Sequence, residues 1–503
     1  MISRCPYLCG SRGTNVDDKI LVRVGLSRLR HPLPPVKLMV AHSAAAGIIS
    51  ENGAVVWNAL LTFIENQELE SEVAEALMVA FLAKKSPLVT VAALHRVIAR
   101  PSPLSDYILM GITGQPVLIN AWSKSHSGEV PKRYTISEYA QSLTAAHLVP
   151  PILRTRLAAL EKQHDLPFLR QWEYEIECLV CRLGAPSGSD RDYWSKDPDA
   201  VALQISHACH FGRSAYLRTL ALAFDLWGMS EEIVHEEVKY AIPCDLVYAQ
   251  ILPGECPVWA AGLQEALPDD ANKCSTLIGQ MVRDCSAGGE LLMYLNAPLG
   301  ISNMYRAELR ITSCYVNNES ARPKDGFALH DYLLNRMISL TESLVNKIDV
   351  KPFGFLPGVF PNNVSMLPGV IPGPMRHFGY LVSDLLSRFP YLPANHSVGK
   401  SMTAKPTRGG IDIDADGVHI GHLTYWNQRW QPTHSKGIGT PCGTALTLKE
   451  AHLEGFSPNP VFRLQRYWEL KIFERDNSHM NWNKRTLYGR VLDSLDTNPV
   501  CKL

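Results

Sequence analysis

Apolar residues recur at three- and four-residue steps along much of the chain up to about residue 300, which is the period of an amphipathic helix. The stretches 55–64 and 73–81 are clear examples, since their apolar side chains would share one face of a helix. The pattern therefore predicts a helical body whose core is built from such faces.

Capping residues and helix breakers predict where several of these helices begin and end. Thr135 followed by Glu138 is a capping-box pattern, and the helix that it opens is expected to end near His147. Pro151 is predicted to start the next helix, because the N–H of a first-turn residue has no partner within the helix.

Two further helices are expected to stop at glycines. A helix over 168–183 is predicted to end at Gly184, and one over 214–227 is predicted to end at Gly228. Ser230 then precedes two glutamates, whose charges suit a helix N-terminus. A new helix is therefore expected directly after Ser230.

Strand patterns are fewer and come later in the chain. Residues 308–315 alternate between apolar and polar side chains, which predicts one short strand. Residues 410–426 alternate on both sides of Asp416-Gly417, a turn pair typical of hairpins. We therefore expect an α+β fold, with a predominantly α-helical body and a smaller β-containing C-terminal part.

These patterns suggest five successive regions along the chain. They are a mildly basic N-terminal segment (1–50), a helical body (51–300), a strand plus a long helix (301–350), a Pro/Gly-rich apolar arm (351–393) and a C-terminal region that contains the β-hairpin (394–503).

The apolar arm contains a short internal repeat. FLPGVFP at 355–361 returns as MLPGVIP at 366–372, but two copies are too few for a stacked repeat architecture. The arm could pack over the core of its own domain or dock on another subunit. For the second alternative, the expected interface residues are Phe355, Leu356, Phe360, Leu367 and Ile371.

Composition narrows the class of protein. The 503 residues carry 49 Lys+Arg and 49 Asp+Glu, and 46% of them are apolar. These values argue against a disordered chain, a highly charged coiled coil and a polyanion binder that is basic throughout. No uncharged apolar run approaches the roughly 18–20 residues of a membrane-spanning helix, so no membrane association is expected.

Location is inferred from the same composition and from the start of the chain. The first residues lack the long apolar segment of a secretory signal. The 12 cysteines are too dilute for a disulfide scaffold, so a reducing compartment is the default expectation. We therefore expect a cytoplasmic protein, or a virion protein if the chain is viral.

The most credible candidate metal site is a set of cysteines and histidines. Cys178 and Cys181 lie one helical turn apart, and His207 and His210 could complete a tetrahedral zinc site. The alternative is that the two cysteines belong to an ordinary amphipathic helix. No cofactor is expected overall, with zinc as the possible exception.

Two other motif matches fail on context. Residues 394–401 fit a relaxed phosphate-loop pattern, but prolines on both sides leave no room for the strand and helix that this loop needs. Asp412, Asp414 and Asp416 begin like a calcium-binding loop, yet Leu423 stands where the bidentate glutamate is required. Neither motif predicts a site.

The C-terminal region mixes aromatic residues with arginines and lysines, a combination that can stack and neutralise nucleic acid. The candidate nucleic-acid contacts are Arg429, Arg466, Lys484 and Arg485. From Lys400 onward the chain has fourteen Lys/Arg against ten Asp/Glu, an excess too small to indicate a nucleic-acid surface by charge alone.

By elimination, the sequence favours a structural, self-assembling protein over an enzyme. The specific hypothesis is a viral capsid or coat subunit that forms a homo-oligomeric shell around nucleic acid. Two alternatives stay open: a nucleic-acid-binding subunit of a larger ribonucleoprotein or DNA complex, and a metal-dependent enzyme that uses the cysteine/histidine set.

Overall fold

The fold is known from a computed structural model and forms two compact units. The structure describes residues 18–32, 34–145, 148–186, 205–242, 244–246, 248–264, 271–300, 304–317, 364–372, 391–394, 402–427, 442–452, 461–477 and 481–491. Described residues up to Ala249 form a helical unit, and those from Gln250 onward form a sheet unit. This α+β arrangement, with its helical N-terminal body, confirms the predicted fold class. Within the described ranges, no helix combines the length and the apolar character needed to cross a membrane.

The helical unit is built around two helices that are buried over almost their whole length. Its described α-helices are α1 (Asp18–Ser27), α2 (Pro34–Ile49), α3 (Gly53–Glu65), α4 (Glu70–Leu82), α5 (Val91–Val97), α6 (Pro103–Thr113), α7 (Glu138–Ser142), α8 (Pro151–His164), α9 (Phe168–Leu183), α10 (His207–Asp225) and α11 (Glu231–Val238). Helices α4 and α10 are the buried pair, because nearly every residue of 70–81 and of 209–223 is inaccessible to solvent. A helix that is buried on all sides occupies the centre of a core.

Several predicted helix boundaries are confirmed. Helix α9 covers the predicted range and ends at Gly184, whose φ of 83° lies in a region that glycine reaches without steric cost. Helix α8 begins at Pro151, as the missing N–H of proline allows. Ser230 precedes α11, which begins at Glu231. Capping residues and helix breakers act within one helical turn, so they define the same boundaries in the folded chain.

Two other predicted helix starts were wrong. Helix α7 is capped by Ser137, whose side chain accepts a hydrogen bond from the N–H of Ala140, so Thr135 is not the cap. Helix α10 begins at His207 rather than near residue 214, because Ser206 accepts from the N–H of Cys209 and caps it there. Both errors come from overlooking a serine at the true helix boundary.

The sheet unit consists of a long antiparallel sheet and one covering helix. Its described elements are α12 (Ala271–Ser286), β1 (Glu290–Gly300), β2 (Tyr305–Val316), β3 (Met366–Pro368), β4 (Val370–Pro372), β5 (Tyr391–Pro393), β6 (Met402–Pro406), β7 (Gly410–Ala415), β8 (Val418–Asn427), β9 (Cys442–Lys449), β10 (Arg463–Glu474) and β11 (Asn483–Arg490). The described strands of the main sheet follow the order β11-β10-β2-β1-β9-β8-β7-β6, and β3 pairs with β2.

The predicted strand and the predicted hairpin are both present. The strand expected at 308–315 is the centre of β2. Strands β7 and β8 pair antiparallel around Asp416-Gly417, whose φ angles are 49° and 79°. Positive φ at both central residues is typical of the two-residue turns that match the twist of a hairpin.

Strand β1 lies in a stretch that the sequence assigned to the helical body. It pairs with β2 on one side and with β9 on the other, so it is a central strand. The four residues 292–295 are all fully buried, which means that the strand is covered on both faces. A strand buried on both faces has no apolar/polar alternation, and its sequence cannot be distinguished from a buried helix by period.

The face of the sheet beneath α12 changes from apolar at β1 and β9 to polar at the β7–β8 hairpin. Residues paired directly across strands share a face, so Leu295, Ala445 and Thr424 lie on one side. On that side Leu295 and Ala445 belong to the apolar core under α12. In the other half of the sheet, the buried side chains Leu423 and Leu446 lie on the opposite face. The hairpin β7–β8 therefore exposes polar side chains on the face that is apolar beneath α12.

Part of the predicted arm belongs to the sheet unit of its own chain. Strand β3 pairs with β2, and Leu367 on β3 is 6% exposed. Ile371 pairs through its backbone with Leu392 of β5. Leu367 is therefore covered without a second subunit, which is the alternative of a packed loop. The other expected interface residues, Phe355, Leu356 and Phe360, lie outside the described residues.

The boundary between the units differs from the predicted one. The chain divides after Ala249, and residues 250–300 belong with the sheet rather than with the helical body. Their helix α12 packs directly on the sheet, with Ile278 and Val282 in the same apolar core as the central strands. The long helix predicted after β2 would fall in 318–350, outside the described residues.

Candidate functional site

The helical unit contains a buried cluster of charged residues between α4 and α10. Glu70 pairs with Arg218 at 2.7 Å, and Glu75 pairs with Arg213 at 3.1 Å. The glutamates are five residues apart on α4 and the arginines are five residues apart on α10, in opposite order. The two helices therefore pack antiparallel with their charges in register, and each buried charge meets its opposite.

Lys37 from α2 joins this cluster. Its Nζ lies 2.5 Å from Oε2 of Glu75, and both side chains are at most 7% exposed. Burial alone raises the pKa of Glu75, but the adjacent Lys37, His210 and Arg213 outweigh burial and lower this pKa to about 2. Glu75 is therefore a carboxylate held by cations from two helices. We call Lys37, Glu75, His210 and Arg213 the charged core.

The hydrogen bonds of His210 define its protonation state. Its Nε2 lies 3.3 Å from Nζ of Lys37, and its Nδ1 lies 2.9 Å from Oγ of Ser71. An ammonium can only donate, so Nε2 must accept and the proton must sit on Nδ1. Ser71 in turn donates to the carbonyl oxygen of His210 at 3.1 Å. This set of donors and acceptors is complete only with a neutral imidazole.

A second polar group extends the cluster towards α9. Glu175 accepts from the backbone N–H and from the hydroxyl of Ser127, each at 2.8 Å, and lies 3.7 Å from Arg218. Burial raises the pKa of Glu175, and the contacts with Ser127 and Arg218 oppose this effect. The loop that carries Ser127 is thereby fixed to the central helices.

The charged core is closed to solvent, which decides what it can do. Arg213 is fully buried and Lys37 is 3% exposed, so no substrate could reach them without local unfolding. Buried, matched ion pairs select one packing arrangement, because any shifted arrangement would leave a charge uncompensated. The charged core therefore positions α2, α4 and α10 and provides no accessible catalytic surface.

The polar face of the β7–β8 hairpin carries a second group of titratable side chains, which ranges from the buried Asp414 to the partly exposed Asp412. Asp412 contacts His422 at 2.5 Å, and Asp414 contacts Lys405 of β6 at 2.5 Å and His419 at 3.5 Å. The hydrogen bond from Lys405 lowers the pKa of Asp414, and His419 contributes in the same direction. Asp412 and Asp414 thus contact side chains on neighbouring strands instead of converging on one point as a calcium loop requires.

The structure does not assemble the predicted zinc site. Among the described residues, no group of three or more His, Cys, Asp and Glu side chains could hold a metal ion. His210 belongs to the charged core, and the ring of His207 packs edge-on against Phe211 with their centroids 5.2 Å apart. Cys181 is exposed, and burial raises the pKa of the half-buried Cys178, which disfavours the thiolate that zinc binds.

The candidate nucleic-acid contacts do not form one surface. Arg466 is 4% exposed beneath α12, and burial lowers its pKa to about 10. Lys484 and Arg485 are consecutive on β11, so their side chains leave the strand on opposite faces. Arg429 lies outside the described residues, as do 395–401 of the phosphate-loop match. Arg466 is therefore a buried residue of the sheet core, and its assignment to a nucleic-acid surface was wrong.

Sequence reasoning missed the charged core, although a signal for it exists. The buried charges Glu70 and Glu75 of α4 are five residues apart, and so are Arg213 and Arg218 of α10. Equal spacing of opposite charges in two helices indicates matched pairing between them. Lone charges in apolar runs, such as Lys37 in PPVKLMV, belong to the same pattern.

Comparison with known proteins adds no family assignment. No protein-family model and no curated protein matches the chain. A function for this chain is therefore inferred from its residues and their geometry.

Proposed function

We propose that this protein is a structural subunit that self-assembles into a shell, such as a viral capsid or coat, that encloses nucleic acid. The observation that carries the proposal is an apolar stripe on the outer face of α1. Ile20, Leu21 and Val24 are 53%, 39% and 56% exposed. We call these three residues the α1 stripe.

The spacing of the α1 stripe favours a contact surface over scattered exposure. Val24 lies four residues after Ile20 and three after Leu21, so its side chain neighbours both of theirs on the helix surface. The opposite side of the same segment is anchored, since Leu26 and Leu29 are at most 3% exposed. A helix held on one face and apolar on the other is suited to bind a second copy of the chain.

The energy available from this surface fits assembly from many weak contacts. Burying one apolar side chain contributes roughly 1.5–3 kcal/mol before the cost of association is subtracted. Three such side chains on each subunit are too few for a tight dimer, but they are repeated at every contact of a shell. Closed assemblies gain their stability from this repetition.

The charge distribution is compatible with a shell that does not rely on a basic tail. Lys+Arg and Asp+Glu are equal over the whole chain, and the charged core pairs its arginine and its lysine with Glu75. Assembly of a shell and enclosure of nucleic acid are separate parts of the proposal, and the second requires its own measurement. The location that accompanies it is the cytoplasm, or a virion if the shell is viral.

The test is size-exclusion chromatography with light scattering on the parent chain and on the double variant Ile20→Asp with Val24→Asp. We expect a large particle for the parent and a folded, smaller species for the variant, because two desolvated carboxylates oppose contact at the α1 stripe. The ultraviolet absorbance ratio of the particle reports whether it contains nucleic acid.

The matched control is Ile49→Asp with Leu226→Asp. These residues are 55% and 52% exposed in the same unit but are not part of the stripe. The control should assemble like the parent. A parent that is monomeric at all concentrations would contradict the proposal, and a small complex with nucleic acid or a metal-loaded monomer would instead support one of the two alternatives.

A further inference from the structure

The contact between Lys37 and His210 couples two helices through a hydrogen bond that depends on protonation. Lys37 lies on α2 and His210 on α10, 173 residues apart in the chain, and their side chains are 4% and 6% exposed. The bond exists only while Nε2 of His210 has a free lone pair, because the ammonium of Lys37 has no acceptor.

We propose that the Lys37–His210 contact is an acid-sensitive latch, which holds α2 against α10 while His210 is neutral and opens when Nε2 binds a proton. Protonation would place two N–H donors and two positive charges opposite each other at a separation of 3.3 Å. Neither side chain can turn towards water without moving its helix, since both are buried. The proposal concerns the helical unit alone and goes beyond the proposed function.

The charges around His210 come from each of the helices that carry the charged core. Helix α2 contributes Lys37, α4 contributes Glu75, and α10 itself contributes Arg213 and His207. Glu75 favours the protonated form but lies 3.9 Å away and is already bound to Lys37 and Arg213. Ser71 and Ser214 are the neutral polar neighbours, and they bond to each other at 3.1 Å.

The electrostatic direction agrees with this geometry. Burial lowers the pKa of His210 well below its ordinary value of 6.5, and the opposing effect of Glu75 is partly cancelled by Lys37 and Arg213. In the unfolded chain the same histidine is protonated below 6.5. The contribution of neutral His210 to stability is therefore fully present above pH 6.5, the pKa in the unfolded chain. As the pH falls below 6.5, this contribution is lost, and the folding constant decreases by about tenfold per pH unit.

The first measurement follows hydrogen–deuterium exchange at the imidazole carbon of each histidine as a function of pH, read by mass spectrometry on the full chain. His210 should titrate below 6.5, the ordinary pKa of histidine, and Lys37→Met should raise its titration midpoint, because the opposing cation is removed. A parent His210 that titrates at its ordinary value would overturn the proposal without any need for a variant.

The second measurement is the number of protons taken up on unfolding, obtained from the melting temperature as a function of pH. His210→Gln keeps an acceptor towards Lys37 but cannot titrate, so uptake near pH 5 should fall by about one proton. The control His95→Gln should behave like the parent. Unchanged uptake in His210→Gln would show that the latch does not exist.

Discussion

Removing the charge of Glu75 is the sharpest test of the charged core. Glu75→Gln keeps the size of the side chain and one acceptor oxygen but removes the carboxylate that contacts both Lys37 and Arg213. Two buried cations would then lose the negative charge that they share. Breaking a buried pair from one side destabilises strongly because the remaining charge stays desolvated.

The magnitude can be worked from the structure in two ways. The pKa of Glu75 falls from 4.5 to about 2, a shift of about 2.5 units, which corresponds to about 3 kcal/mol at 1.36 kcal/mol per unit. Removal of one partner from a buried ion pair costs about 3–5 kcal/mol in general. The two values agree, so we expect Glu75→Gln to lower the free energy of unfolding by about 3 kcal/mol.

The assay is urea unfolding followed by helical circular dichroism, with Glu65→Gln as the control at an exposed position of α3. A group whose folded pKa is depressed stabilises above its unfolded pKa and loses that contribution as the pH falls through the folded value. The difference between the parent and Glu75→Gln should therefore be complete above 4.5 and shrink towards about 2. A decrease in the free energy of unfolding of less than about 1 kcal/mol at neutral pH would refute matched pairing of charges in the core, and so would a decrease that does not depend on pH.

Two further predictions concern other parts of the chain. Gly489→Ala should weaken the pairing of β11 with β10, because a Cβ at Gly489 would lie 2.3 Å from the buried indole of Trp468; a lower melting temperature with intact helical circular dichroism would confirm it, and an unchanged one would contradict it. His42→Gln should reduce the acid sensitivity of the chain between 6.5 and about 4, because burial lowers the pKa of His42 to about 4; equal slopes of stability against pH for variant and parent would exclude this role.

The elements predicted correctly are those with a cause inside a few residues. Gly184 ends α9 because a left-handed φ is open to glycine, and the Asp416-Gly417 turn joins β7 to β8 for the same reason. Strand β2 was found because one of its faces differs from the other in polarity. The errors at α7 and α10 also concerned local capping, since the hydrogen bond is made by Ser137, two residues after Thr135, and by Ser206, eight residues before the expected start.

The candidate sites were harder to predict because they depend on residues distant in the chain. His210 was assigned to zinc from its distance in sequence to Cys178 and Cys181, yet its partners are Lys37 and Ser71. Spacing along one helix says which residues share its face but not which second helix that face will meet. The same limit applies to Arg466, whose burial is caused by the packing of α12 on the sheet.

By itself, the amino-acid sequence determined the α+β class, the bounds of α9, the starts of α8 and α11, the turn of the hairpin and the absence of net charge. Tertiary structure alone decided that Glu70 meets Arg218 across 148 residues, that β1 is a central strand, and that one face of the sheet is apolar beneath α12 and polar at the β7–β8 hairpin. The physical reason is the distance along the chain over which each kind of interaction acts. Steric limits and capping bonds act within one turn, whereas the pairing of buried charges and the choice of a covered face are settled only when distant segments compete for the same core.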